Sequence, residues 1–172
     1  MKELKPGVYL DQMIRQTRNH HVQLSQMADS KANMLMTTAS VVLTLCVPYV
    51  MNPGLKFAAI SLMVFCFLTI FLSVYSAMPK IPFLFKHKLP EDLTYPSFNI
   101  LFFGDFIHLA YDDYEARMEE IMTNPDRVYR EQIKEIYYMG KFLAIKKYRY
   151  LRLAYFTFLV GFITSGFFLF MV

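Results

Sequence analysis

Polar and apolar positions along this chain fall into separate blocks, and the blocks set out its architecture. Three runs, residues 34–51, 57–78 and about 153–172, are predominantly apolar and carry no formal charge. Each approaches the roughly 20 helical residues that cross a hydrocarbon core, so the pattern predicts three transmembrane helices. Only Asn52-Pro53-Gly54-Leu55-Lys56 separates the first two, a turn written in breaker residues that makes them an antiparallel hairpin. Ahead of the first run, Leu10, Ile14, Thr17, His21, Leu24 and Ala28 recur every three or four positions. That spacing predicts a weakly amphipathic helix over residues 8–31, packed against another helix. Ala28-Asp29-Ser30-Lys31-Ala32-Asn33 then leads into the apolar run with no glycine or proline between them, so one helix is expected to pass unbroken from water into lipid.

The long connection between the second and third runs has its own punctuation. Residues 79–96 hold four prolines, too many for a helix and suited to an extended crossing. Residues 97–108, SFNILFFGDFIH, are rich in aromatics and β-formers around Gly104-Asp105, which predicts a short strand or hairpin, with helix as the second choice. Asp112-Asp113-Tyr114-Glu115 reads as an acidic helix start stopped by Thr123-Asn124, and Pro125 opens another helix where its missing N–H costs nothing. From residue 126 only Gly140 interrupts a helical pattern that continues into the third run, a helix of roughly 70 Å at 1.5 Å per residue. The expected fold is mainly α and integral to a membrane, its three transmembrane helices continuous with a small helical cytoplasmic domain. Residues 1–32 form a cytoplasmic amphipathic helix, 33–78 the transmembrane hairpin, 79–150 the cytoplasmic domain and 151–172 the third transmembrane helix.

Composition agrees: 172 residues that are 55% hydrophobic and 17% aromatic are too apolar for a soluble domain of this size. Charge then orients the spans. Every Lys and Arg except Lys56 lies before the first run, in the long connection or, as Arg152, beside it, which places those segments and the N-terminus in the cytoplasm and the C-terminus across the membrane. All 14 acids share that side, so the net charge of +4 belongs to a mixed surface, and nucleic acid is not an expected partner. Some thirty polar and amphipathic residues precede the first span, and no cleavable signal peptide is expected. Cys46 and Cys66 sit inside spans, where a thiol acts as a small apolar group. His20 and His21 diverge by about 100° on a helix, and no cysteine lies near His87 or His108, so no metal site is expected. There is no phosphate loop, nucleophile elbow or HExxH helix, and Asp112, Asp113 and Glu115 are explained by a helix N-terminus. An enzyme is not expected.

ADSKAN before the first span, FNILFFGDF, DDYEARMEEIM followed by a proline-started helix, and IKKYRYLRLAYF before the last span together resemble the transmembrane effector of Pycsar antiphage systems. The likeness is one of order and pattern along nearly the whole chain. It implies an effector that responds to cyclic CMP or cyclic UMP, made by a partner pyrimidine cyclase during infection, and that impairs the bacterial inner membrane, leading to abortive infection. The β-roll of known cyclic-nucleotide-binding domains is not recognisable here, so a ligand site would be built differently. The rival reading is a noncatalytic membrane scaffold or adaptor that recruits a cytoplasmic partner.

Candidate residues follow from position. Asn33, Thr37, Ser40 and Thr44 share one face of span one, and Ser61, Thr69, Ser73 and Ser76 repeat the device on span two. Either these hydroxyls bond back to helices, or they line a hydrated path when subunits gather, as in a weakly selective leak. Thr157, Gly161 and Ser165 form a small-xxx-small row on span three, which packs helices within a subunit or builds a homo-oligomer. Lys31, Tyr137, Tyr148, Arg149 and Arg152, with Lys146, Lys147, Tyr138 and Tyr150 nearby, either anchor the helices at the lipid surface or bind the nucleotide through cations and stacking. Asp29, Lys31 and Asn33 are the expected coupling residues at the first span's threshold. Asp29 is expected to pair with Arg149 or Arg152, and Lys31 with an acid of the cytoplasmic domain.

Overall fold

A computed structural model describes residues 7–79 and 98–171. The proline-rich crossing expected over residues 79–96 lies outside them except for Pro79. Helix α1 runs Val8–Cys46, followed by a 3₁₀ turn at Val47–Met51. Helix α2 is Lys56–Ala77, α3 the short Phe103–Phe106, α4 Tyr111–Met122 and α5 Pro125–Phe142. A π-helical segment, Leu143–Tyr148, joins α5 to α6, Arg149–Phe170. Three continuous helical stretches, Val8–Met51, Lys56–Ala77 and Pro125–Phe170, are long and apolar enough to cross a membrane. The chain is a mainly α membrane protein, and no strand occurs among the described residues.

Two compact units divide the chain, Met1–Val22 with Pro79–Lys141, and Gln23–Met78 with Phe142–Val172. In the first, the predicted stripe of α1 is its less exposed face, with Ile14 buried and Leu10, Thr17 and His21 half-buried. Tyr129 Oη donates to Asp11 Oδ1 at 2.7 Å, and the Arg18 guanidinium meets Glu135 at 2.9 Å. His21 lies flat enough against α5 that a Cβ on Gly140 would stand 3.2 Å from its ring. Glycine is therefore tolerated mid-helix because it makes room, and α5 passes Gly140 without a break.

Residues 98–108 correct the expected hairpin. Asn99 Oδ1 accepts the Leu101 N–H at 3.0 Å, and Asp105 Oδ2 accepts the Asn99 N–H at 2.9 Å. These side chains take backbone donors that a strand ladder would need, closing the segment into a turn capped by α3. Phe98 and Ile100 are buried, so the β-former composition reflects burial. Beyond it the reading of breakers holds: Asp112 and Asp113 open α4, Thr123 ends it, and Asn124 Oδ1 accepts the Asp126 N–H at 3.1 Å ahead of Pro125's helix.

The second unit is an inside-out bundle. Its buried positions include Cys66, Thr69, Ser73 and Ser76 on α2 and Gly161 and Ser165 on α6, while Phe67, Phe71, Phe156 and Ile163 are exposed. Small and polar groups inside with large apolar ones outside is the arrangement lipid selects, because helices gain nothing by hiding apolar surface from hydrocarbon and associate by close approach. On Gly161 a Cβ would stand 2.5 Å from the Phe65 Cβ. Ser165 Oγ donates to the Ala58 carbonyl at 3.0 Å, and Ser61 and Thr164 hydroxyls meet at 3.1 Å. Gly161 and Ser165 thus pack α6 on α2 within one chain. The hairpin turn closes on Asn52, whose Oδ1 accepts the Gly54 N–H at 3.1 Å.

Candidate functional site

Polar side chains cluster in the second unit where α1 and α6 begin their apolar runs. Ala28 and Ala32, one turn apart, are almost fully buried against Leu151, with Ala77 and Tyr148 alongside. Two alanines on one face allow a close approach of helices, and the same face orientation leaves Asp29 half-buried at its edge. Lys147 Nζ reaches both carboxylate oxygens of Asp29 at 2.7 Å and Ser25 Oγ at 2.9 Å. All three donors of the ammonium are thereby used. The Lys147 side chain is 13% exposed and that of Asp29 40%, so the base is withdrawn from water while the acid keeps part of its hydration.

Two further bonds fasten the same level. Tyr148 Oη donates to the Leu24 carbonyl at 3.0 Å, and Ser76 Oγ donates to the Lys147 carbonyl at 3.0 Å. Tyr75 and Tyr150 stack edge to face at 4.5 Å. Lys147 and Tyr148 both belong to the π-helical segment, a form that is rare, is often found at functional sites and turns the following residues to new faces. Helices α1, α2 and the π segment are thus tied by one charge pair and three hydroxyl bonds, those of Ser25, Ser76 and Tyr148.

The partner of Asp29 is therefore Lys147, and the expectation of Arg149 or Arg152 is corrected: both arginines are exposed. Lys147 belongs to the π segment, and the two arginines follow it on α6. Lys31 and Asn33 are exposed, and Lys31 has no ion-pair partner among the described residues. Tyr137 is exposed in the first unit, its ring edge-to-face with Tyr138. Ser25 and Ser76 were not singled out for Lys147. A Ser four residues before Asp29 on a helix was the available signal for the first of them.

The hydroxyls of the spans separate into two groups. On α1, Thr37, Ser40 and Thr44 are exposed, and their hydroxyls donate to the carbonyls of Asn33, Met36 and Ser40 at 2.8–2.9 Å. On α2 they are inside: Thr69 donates to Phe65, and the buried Ser73 hydroxyl has no partner among the described residues. Both cysteines are free thiols. Among the described residues no three His, Cys, Asp or Glu side chains gather as a metal site.

A family model described as a Pycsar effector protein domain matches residues 12–172. No curated protein and no solved structure matches the chain.

Proposed function

The chain belongs to the Pycsar effector family of antiphage defence, and from that premise we propose that it impairs the bacterial inner membrane in response to cyclic CMP or cyclic UMP. A partner pyrimidine cyclase supplies the nucleotide during infection, the effector acts without catalysis, and the cell is lost before the phage multiplies. In this reading the N-terminus faces the cytoplasm and the C-terminus the periplasm, an orientation that the distribution of Lys and Arg supports.

The observation that carries this reading is the exposed polar stripe of α1. The bundle hides the hydroxyls of α2 but leaves Thr37, Ser40 and Thr44 on its outside. Three helices enclose no water by themselves, so a stripe of this kind gains a role when several chains assemble with α1 facing α1. The assembly then offers a narrow wetted path through which the membrane leaks. Asp29 of the Asp29–Lys147 tie lies on the same helix about two turns before the stripe begins, where the tie can hold α1 against the π segment that leads into α6 in the resting state.

The full chain reconstituted into liposomes loaded with a self-quenched dye tests the proposal. Release on adding cyclic CMP or cyclic UMP is expected, with little on adding cyclic AMP. A scaffold or adaptor predicts no release with any nucleotide, and that outcome would remove the membrane-damaging role.

A further inference from the structure

In the first unit, α4 and α5 meet residues 98–100 around a cleft of about 270 Å³. Its apolar lining is Phe98, Ile100 and Ile121. Its polar lining is dominated by bases. Arg117 comes from α4, and Arg127, Arg130 and Lys134 recur at intervals of three and four along one face of α5. At about 270 Å³ the cleft lies just under the usual range of small-molecule sites, about 300–1,000 Å³, which restricts it to a ligand no larger than a mononucleotide.

Two carboxylates also face the cleft, and one of them occupies its cationic centre. Glu120 pairs with Arg127 across the turn between the helices, and its other oxygen lies 4.0 Å from Arg117. Lys134 pairs with Glu131 at 3.6 Å. Arg130 is exposed and makes no ion pair among the described residues. A guanidinium fork binds carboxylate and phosphate by the same two parallel N–H bonds. Arg127 holds Glu120 by a single N–H···O contact, so Glu120 marks a place where an anionic oxygen is already gripped, with a further arginine, Arg130, lining the same cleft to favour the exchange.

Building on the nucleotide response proposed above, we propose that this cleft is where the cyclic pyrimidine nucleotide binds. The phosphate diester, with one negative charge on two free oxygens, displaces Glu120 from Arg127 and is joined by Arg130, while the base lies against Phe98 and Ile100. The residues expected from sequence to hold the ligand, Tyr137, Tyr148, Arg149, Arg152 and Lys31, have no part in this site. Binding also releases the Glu120–Arg127 bond that fastens the end of α4 to the start of α5, the helix whose C-terminal end continues through the π segment into α6. Ligand exchange at Glu120 thus turns occupancy into a change at the corner of a membrane-spanning helix.

Calorimetric titration of the full chain in detergent with cyclic CMP and cyclic UMP tests the site. Wild type is expected to bind one of them. Arg130→Ala removes an exposed side chain and should leave the thermal midpoint unchanged while weakening binding at least about tenfold, the scale of a charge-assisted contact. Arg130→Lys, which keeps the charge and loses the fork, should fall between. Glu120→Gln removes the competing carboxylate and should tighten binding several-fold. If wild type binds and these three variants bind with wild-type affinity, the nucleotide sits elsewhere and the cleft assignment is overturned while the effector reading stands. If wild type binds neither nucleotide, the nucleotide response itself fails and the site with it.

Discussion

Among the ion-paired bases described, Lys147 is the least exposed, and that decides what its partner is worth. Removing Asp29 leaves an ammonium with one neutral hydroxyl in a largely dehydrated place. Asp29→Ala is expected to cost about 1–3 kcal/mol, between exposed and fully buried pairs. Arg149→Ala and Arg152→Ala should leave stability within about 0.5 kcal/mol, the usual range for surface changes. Thermal unfolding in detergent distinguishes these, and equal midpoints for all three variants would show that the pair contributes nothing. The doubled exchange Asp29→Lys with Lys147→Asp should recover part of the loss. Asp29 itself was legible from sequence as a residue in need of a base. Which base was not, because the choice among Lys147, Arg149 and Arg152 depends on helical phase, and a six-residue π segment shifts that phase without any glycine or proline to announce it.

Helices α2 and α6 show how an element is specified by what it lacks. At Gly161 the obstruction is the Cβ of Phe65, attached to backbone and unable to swing aside. Gly161→Ala should therefore destabilise by about 1–3 kcal/mol, the range for overpacking. Gly166 has nothing within 4 Å of a Cβ, and Gly166→Ala should be neutral by the same thermal measurement. The row containing Gly161 and Ser165 was visible as a periodicity, but its neighbour was not, because small residues at that spacing serve a contact within the chain or between copies equally well. Residues 98–106 were not legible in the same way: the Asp105 carboxylate accepts the Asn99 N–H six positions away, a closure that composition does not encode. In the first unit, burial pushes the Glu135 carboxyl above the ordinary range, and Arg18 only partly opposes it. The folded state therefore binds that proton more tightly than the unfolded chain, so this contribution to stability is present in acid and is lost as pH rises through the raised folded value. Glu135→Gln is neutral at every pH. It should raise the unfolding midpoint slightly at pH 7, with the advantage shrinking as pH falls toward the ordinary carboxylate range.

For the whole molecule the sequence pattern was most informative, because apolar length and breaker residues act independently of tertiary detail. Three spans were readable from runs without charge, and α1 and α5–α6 do run through as continuous helices. Three crossings would put the two termini on opposite sides, and the distribution of Lys and Arg predicts the N-terminus on the cytoplasmic one. A reporter active only in the cytoplasm should be silent when fused after Val172 and active before Met1, and one active only in the periplasm should give the reverse pattern.

The back-bonded hydroxyls of α1 have a bearing on which ions would pass. A hydroxyl has one hydrogen to give and two lone pairs to receive. On Thr37, Ser40 and Thr44 the hydrogen is already committed to a carbonyl of the same helix, so each turns only electron-rich oxygen outward. A conduit walled by such oxygens solvates sodium or potassium somewhat better than chloride, a weak preference beside that of a filter built from carbonyl or charged rings. Under a KCl gradient across a planar bilayer, the nucleotide-evoked current should reverse on the potassium side of zero but well short of the potassium equilibrium potential, and Ser40→Lys should drive that reversal toward chloride.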